Sequence, residues 1–181
     1  EEKYRLLVDN AGEAVIVAQD GNLVFTNPRT SEMVGYPREE LLGRPFTEFI
    51  HPDDRALVAD NYRRRIAGEK FPNRYEFRIV RRNGETRLVD ISAVRMDWLG
   101  RPATLNFLGD VTERRQAELQ AESERDRLRR ILDAMPDGVY LVGQDYQIQY
   151  VNPALLARDG PVNGRKCYEY LHSRSEPCPD C

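Results

Sequence analysis

Residues 14–28 read AVIVAQDGNLVFTNP, and this stretch sets the fold. Two β-rich runs, Ala14 to Ala18 and Leu23 to Thr26, flank Gln19-Asp20-Gly21-Asn22. Asp-Gly between such runs predicts a hairpin, because a type I′ turn needs positive φ at both central residues. Asn27-Pro28 then reads as an N-cap with proline at the first helical position, opening a short helix to about Val34. The pattern returns later: LLVDNAGEAVIVAQDGNLVFTNP (6–28) aligns without a gap on ILDAMPDGVYLVGQDYQIQYVNP (131–153). Leu7 meets Leu132, Val17 meets Val142, Gln19-Asp20 meets Gln144-Asp145, and Asn27-Pro28 meets Asn152-Pro153. Leu42-Gly43-Arg44 finds an echo in Asn163-Gly164-Arg165, about four residues out of step. A repeat of this kind implies one complete domain over residues 1–111, a connector over 112–135, and the first part of a second domain over 136–181.

Outward from the hairpin, residues 2–10 carry Tyr4, Leu7 and Val8 on one side of a short lead-in helix. Gly35-Tyr36-Pro37 and Gly43-Arg44-Pro45 punctuate a block of short helices. Pro52-Asp53-Asp54 opens a longer one with acidic residues at its positive end; Leu57, Val58, Tyr62 and Ile66 give it a stripe, and Gly68 ends it. Three β-type runs follow, Phe71 to Val80, Thr86 to Trp98 and Ala103 to Val111, separated by Arg82-Asn83-Gly84-Glu85 and Gly100-Arg101-Pro102. Two strands, a helical block and three antiparallel strands make an α+β domain, with short helices covering one face of a five-stranded antiparallel sheet.

Composition narrows the function classes. Of 181 residues, 40% are hydrophobic, enough to form a core and too many for a disordered tail. The longest apolar run, Ala14 to Ala18, falls far short of the roughly 18–20 residues that cross a bilayer. Without a basic segment leading into an apolar one, no signal peptide is expected. The chain opens on Glu1, which suggests a piece of a longer protein, and without a span or signal peptide a cytoplasmic location is expected. A net charge of −3 argues against nucleic acid as a partner. No phosphate-cradling loop or nucleophile–His–acid set is visible, so no catalytic residue is expected.

Further motifs place the first domain in a family. GYPREELLGRPFTEFIHPDD, EFRIVRRNGETRLVDISA and FLGDVTERRQAE follow the hairpin and the Asn-Pro helix start in this order. Over residues 2–116 this closely resembles a PAS domain of the S-box kind, and DGVYLVGQDYQIQYVNPA resembles the opening of another. The resemblance implies sensing and dimerisation rather than chemistry. It also implies a bacterial signalling protein of the histidine kinase or cyclic-dinucleotide enzyme type, with its output domain further along the chain. Haem-binding relatives carry a ligand histidine on the longer helix, where residues 53–67 have none; His51 reads as a capping or surface residue. Flavin photoreceptor relatives need a cysteine on the helical block, and residues 1–166 have none, so no covalent flavin adduct is expected. A non-covalent cofactor is left open.

Each apolar position is first of all core. If a cavity for a small molecule exists, its candidate lining includes the aromatics Phe25, Phe46, Phe49, Phe77 and Phe107. Met33, Tyr36, Leu57, Tyr62 and Ile91 complete the candidates. Asp110-Val111-Thr112 matches the family's exit motif. Asp110 and Thr112 are candidates for relaying a signal where strand becomes helix, and Thr112 as an ordinary N-cap fits the sequence equally well.

From Thr112 to Met135 neither Gly nor Pro interrupts, predicting a helix of about 36 Å. A seam through Ala117, Ala121, Leu128, Ile131 and Met135, broken at Glu124, suits a parallel coiled coil; a single exposed helix is the alternative. A homodimer through this connector and the lead-in helix is expected. All three cysteines lie at the end: Cys167, His172, Cys178 and Cys181 have the residue types for a zinc site, and iron–sulfur ligation or free thiols are the alternatives. Three functions remain open: a ligand or redox sensor, a ligand-free dimerisation domain, and a metal or redox sensor based on the cysteine cluster.

Overall fold

Asp20 and Gly21 both adopt positive φ, 52° and 80°, and turn β1 (Ala14–Gln19) back onto β2 (Asn22–Thr26). This computed structural model describes residues 8–9, 11–70 and 72–179. The lead-in helix expected over 2–10 falls mostly outside them, as does Cys181; Val8 and Asp9 are helical. The chain divides into two compact units, 1–116 and 117–181.

In the first unit Asn27 caps α1 (Pro28–Val34), its side chain accepting from the Thr30 amide, and Gly35 closes that helix at φ 77°. The chain continues through α2 (Arg38–Leu41), two 3₁₀ turns (Phe46–Phe49 and Pro52–Asp54) and α3 (Arg55–Ile66). Strands β3 (Arg74–Val80), β4 (Thr86–Trp98) and β5 (Arg101–Asp110) complete a five-stranded antiparallel sheet ordered β2-β1-β5-β4-β3. The β4–β5 turn lies one residue earlier than the sequence suggests. Leu99 and Gly100 carry the positive φ values, 53° and 81°, so Arg101 and Pro102 already belong to the strand.

Register decides which side chains face the helices. Ala14, Ile16 and Ala18 of β1 stand opposite Leu108, Asn106 and Thr104 of β5, and Ile91 and Ala93 continue the row on β4. In β2, Val17 pairs with Phe25 but Ala18 pairs with Leu23, so Val24 bulges. The bulge reverses the alternation. Leu23 joins the core under the helices and Phe25 turns to the other face, against Trp98 at 6.0 Å between ring centroids.

Helix α4 runs Thr112–Asp133 and buries none of its residues. Within the second unit, β6 (Tyr140–Val142) pairs with β7 (Ile148–Val151), followed by α5 (Pro153–Asp159) and α6 (Cys167–His172). Asn152 caps α5 as Asn27 caps α1. The gap-free alignment of the two hairpins needs one correction. The Gly143 amide bonds the Gln147 carbonyl, leaving a three-residue loop with Tyr146 at φ 64° where the first hairpin has two. Everything before that loop is therefore displaced by one residue, and Val15 matches Val139 rather than Tyr140: each donates its amide to the capping asparagine. The later echo is structural. Phe46 bonds the Gly21 carbonyl and Cys167 bonds the equivalent Tyr146 carbonyl, so Cys167 stands where Phe46 stands.

Candidate functional site

Short helices lie on the sheet with few contacts between them, and in the first unit they leave a cavity of about 70 Å³. Its wall is mostly apolar: Ile16 and Leu23 from the hairpin, Phe77 and Ile91 from the far strands, Phe46 and Phe49 from the 3₁₀ turn. Met33 and Tyr62 also line it. Phe25, Tyr36, Leu57 and Phe107 do not, and each departure has a local cause. The β2 bulge turns Phe25 away. Phe107 pairs with Val15 and Ser92 on the opposite face, since on β5 it is Thr104, Asn106 and Leu108 that point under the helices. A central strand is apolar on both faces, so alternation alone does not choose between them. Tyr36 packs edge-on to Phe49 at 5.3 Å, with the guanidinium groups of Arg44 and Arg82 over its ring. Leu57 is 51% exposed, because the inward stripe of α3 runs Val58, Tyr62, Arg65, one position further round the helix.

Of the wall residues that sequence reasoning missed, Arg65 is the charged one. It is only 5% exposed and lines the cavity. Its spacing of three from Tyr62 and seven from Val58 was a signal, hidden within the run Arg63-Arg64-Arg65 at a helix end where basic residues are ordinary. The Tyr75 hydroxyl interacts with Asn61 and Arg65, and burial pushes its pKa up, so it remains protonated. Thr30, Thr104 and Asn106 supply the other polar wall atoms. The Asn106 amide already donates to the Ile16 and Thr104 carbonyls, and Tyr62 accepts from the Gly21 amide at 3.2 Å.

The strand-to-helix exit is tied to β4 by two side-chain bonds. Thr112 Oγ1 accepts from the Leu88 amide at 2.8 Å and donates to the Leu88 carbonyl at 3.3 Å. Asp110 Oδ1 accepts from the Thr112 amide at 2.9 Å, so the aspartate serves the helix start and the threonine grips the sheet. One turn on, Arg115 pairs with Glu76 of β3 at 2.7 Å. Asp110 also lines a polar cleft with Arg29, Glu32, Arg81 and Arg87, and this cleft shares Met33 and Leu108 with the apolar cavity.

This geometry has relatives. Residues 23–106 match a family model described as PAS fold, and residues 126–172 match a second described as PAS domain. The chain belongs to the PAS family. A sensory box histidine kinase/response regulator structure from Burkholderia thailandensis is 26% identical, with a TM-score of 0.53 over 71% of this chain and 98% of that one. A methyl sulfide methyltransferase-associated sensor from Methanosarcina acetivorans is 24% identical over 131 residues, 71% of this chain and 13% of the relative. The Period circadian protein of Drosophila virilis is 51% identical over 45 residues, 25% of this chain. This chain spans only 4% of that protein's length.

In the PAS unit the approach to α3 is fixed by charge. Asp54 accepts from the Arg78 amide at 2.8 Å and from its guanidinium at 2.7 and 2.9 Å, while the His51 ring nitrogen accepts from the Asp53 amide at 3.4 Å. His51 is thus a capping residue. The Arg78 hydrogen bonds hold the Asp54 carboxyl down to about 2, from an ordinary 3.8. A lowered carboxylate pKa stabilises the fold fully above the unfolded value and loses that contribution as pH falls toward the folded one. Asp54→Asn is expected to cost about 1 kcal/mol at neutral pH, allowing for the solvent that reaches the pair. It should also flatten the decline of unfolding free energy between about pH 4 and pH 2, as read by urea titration.

In the second PAS unit, Cys167 opens α6 and His172 ends it. Cys167 and Cys178 are free thiols, half-buried. Among the described residues no three of His, Cys, Asp and Glu converge to hold a metal ion, so Cys167, His172 and Cys178 do not form the expected cluster by themselves. No helix of the described residues is long and apolar enough to cross a membrane.

Proposed function

We propose that this chain is the sensory region of a signalling protein. A small molecule in the cavity beneath α3 alters how β4 and β5 hold Thr112, and α4 carries the change toward an output domain of the histidine kinase or cyclic-dinucleotide enzyme type. The observation that carries this reading is the grip of Thr112 on Leu88. It joins the first residue of a long solvent-exposed helix to the strand whose next inward residues, Val89 and Ile91, belong to the core around the cavity. The likeness to a sensory box histidine kinase/response regulator from Burkholderia and to a sensor from Methanosarcina supports it. Signal passage rather than catalysis is the role of this region.

The active form in this proposal is a homodimer. Leu128, Ile131 and Met135 are 55%, 47% and 40% exposed, on a seam whose alternating spacing suits a second copy of the same helix. Sedimentation velocity should show a dimer that Leu128→Asp converts to monomer while the melting temperature of the first unit is kept; a wild-type monomer at all concentrations would contradict it. One observation favours a second reading. At about 70 Å³ the cavity is small, as expected of a ligand-free dimerisation domain. A dimer whose melting temperature no small molecule shifts would support that reading.

A further inference from the structure

The cavity's size and Arg65, the one cation among its described lining residues, together define a ligand class. A space of about 70 Å³ is roughly half the 150 Å³ that accommodates benzene. It therefore suits a molecule of few heavy atoms, well below a flavin or haem. Most of its wall is hydrocarbon, from Phe49, Phe77, Ile91 and Leu108 among others, and none of the described residues lining it is an aspartate or glutamate. Into this wall α3 sets Arg65, 5% exposed, beside the protonated hydroxyl of Tyr75. A guanidinium carries five N–H donors in a planar fork, enough to serve the fold and still meet a carboxylate. In such surroundings a charge-assisted bond is about twice as strong as a neutral one.

We infer that the cavity binds a short aliphatic monocarboxylate, of the size of acetate to butyrate, with its carboxylate on Arg65 and Tyr75 and its alkyl end against the aromatic wall. Across Met33 and Leu108 lies the polar cleft, where Arg29 pairs with Glu32 and Arg81 and Arg87 pair with Glu85. Asp110 of that cleft is also the acceptor for the Thr112 amide at the start of the outgoing helix. This inference names the ligand of the sensory reading and rests on it.

The test is calorimetric and NMR titration of the whole chain with sodium propionate, propionamide, 1-propanol and sodium hexanoate at constant ionic strength. Propionate should bind about 30-fold or more tightly than propionamide, the difference a hydrogen-bonded charge makes. Hexanoate should bind more weakly than propionate for lack of room. Arg65→Met should reduce propionate binding to the level of the amide, and Arg65→Lys should retain part of it. Should Arg65→Met fail to fold, the wild-type preference for acid over amide decides alone. Equal binding of propionate and propionamide would overturn the carboxylate assignment and leave sensing intact. Binding of none of the four, with no other small molecule shifting the melting temperature, would overturn both.

Discussion

Asn27→Ala should remove about 3 kcal/mol from the stability of the first unit, a large share of what a small domain has. The side chain is fully buried and makes five hydrogen bonds. Oδ1 accepts from the Val15 amide at 2.9 Å and from the amide and hydroxyl of Thr30 at 3.1 and 3.0 Å, while Nδ2 donates to the Val8 and Glu13 carbonyls at 2.9 and 3.1 Å. One amide thus joins the incoming chain, the first strand and the first helix. Truncation strands the buried Val15 amide and removes the helix cap, while the Thr30 amide keeps the Asn27 carbonyl at 3.1 Å and the Val8 carbonyl keeps the Ala11 amide at 3.3 Å, for an expected loss of about 3 kcal/mol. Small domains have about 5–15 kcal/mol in all. Asn27→Asp should do comparable harm, since it keeps the acceptor but puts a second carboxylate oxygen against the Val8 and Glu13 carbonyls. Urea denaturation followed by circular dichroism reads both. Wild-type stability in Asn27→Asp would show that the donor half of the amide does no work.

The second large effect is Asn152→Ala, expected to melt the second unit and leave the first folded. Asn152 Oδ1 accepts from the Val139 and Leu155 amides at 2.9 and 3.0 Å. Its Nδ2 reaches the Leu132 and Met135 carbonyls at 3.2 Å and the Asp137 carbonyl at 2.8 Å. The asparagine thus ties the last turn of α4 and the residues after it to β6 and α5. Little else in this unit is buried: Leu155, Tyr168 and Tyr170 are its only buried hydrophobic residues among those described. A core this small has little reserve, so a loss of about 3 kcal/mol exceeds it. Amide NMR spectra should lose the dispersed signals of 139–172 and keep those of 14–111. Loss of both sets would mean that the two units do not melt independently.

The two asparagines also show what was legible before any coordinates. Asn-Pro after a hairpin identified the first cap, and its return at Asn152-Pro153 identified the repeat, because capping is local and depends on side chains a few residues apart. The order of elements along the chain followed from turn chemistry and alternation, and the Asp20-Gly21 turn formed as its residues dictate, while the pairing of β1 with β5 joins strands too far apart in sequence for local signals to show. The cavity was legible only in part. Met33, Phe46, Phe49, Tyr62, Phe77 and Ile91 line it. The misplacement of Phe25 came from a single bulged residue, Val24, and that of Phe107 from a strand apolar on both faces. The one-residue slip between the hairpins arose because an insertion inside a turn leaves the flanking patterns looking unchanged. Arg65 was hidden for the opposite reason: residue type argued for the surface, and only its position on the helix argued for burial.

The central claim is that the cavity and the start of α4 are coupled through Leu88 and Thr112. Hydrogen exchange followed by mass spectrometry tests it, comparing the whole chain alone, with saturating propionate, and as an Ala18→Leu variant whose larger side chain fills the cavity. If the claim holds, occupancy by either means changes exchange at least about threefold at the Leu88 amide and at Val111 to Arg115. Exchange that changes only in α3 and the strands around the cavity, with the Thr112 turn unaltered in both filled forms, would contradict it.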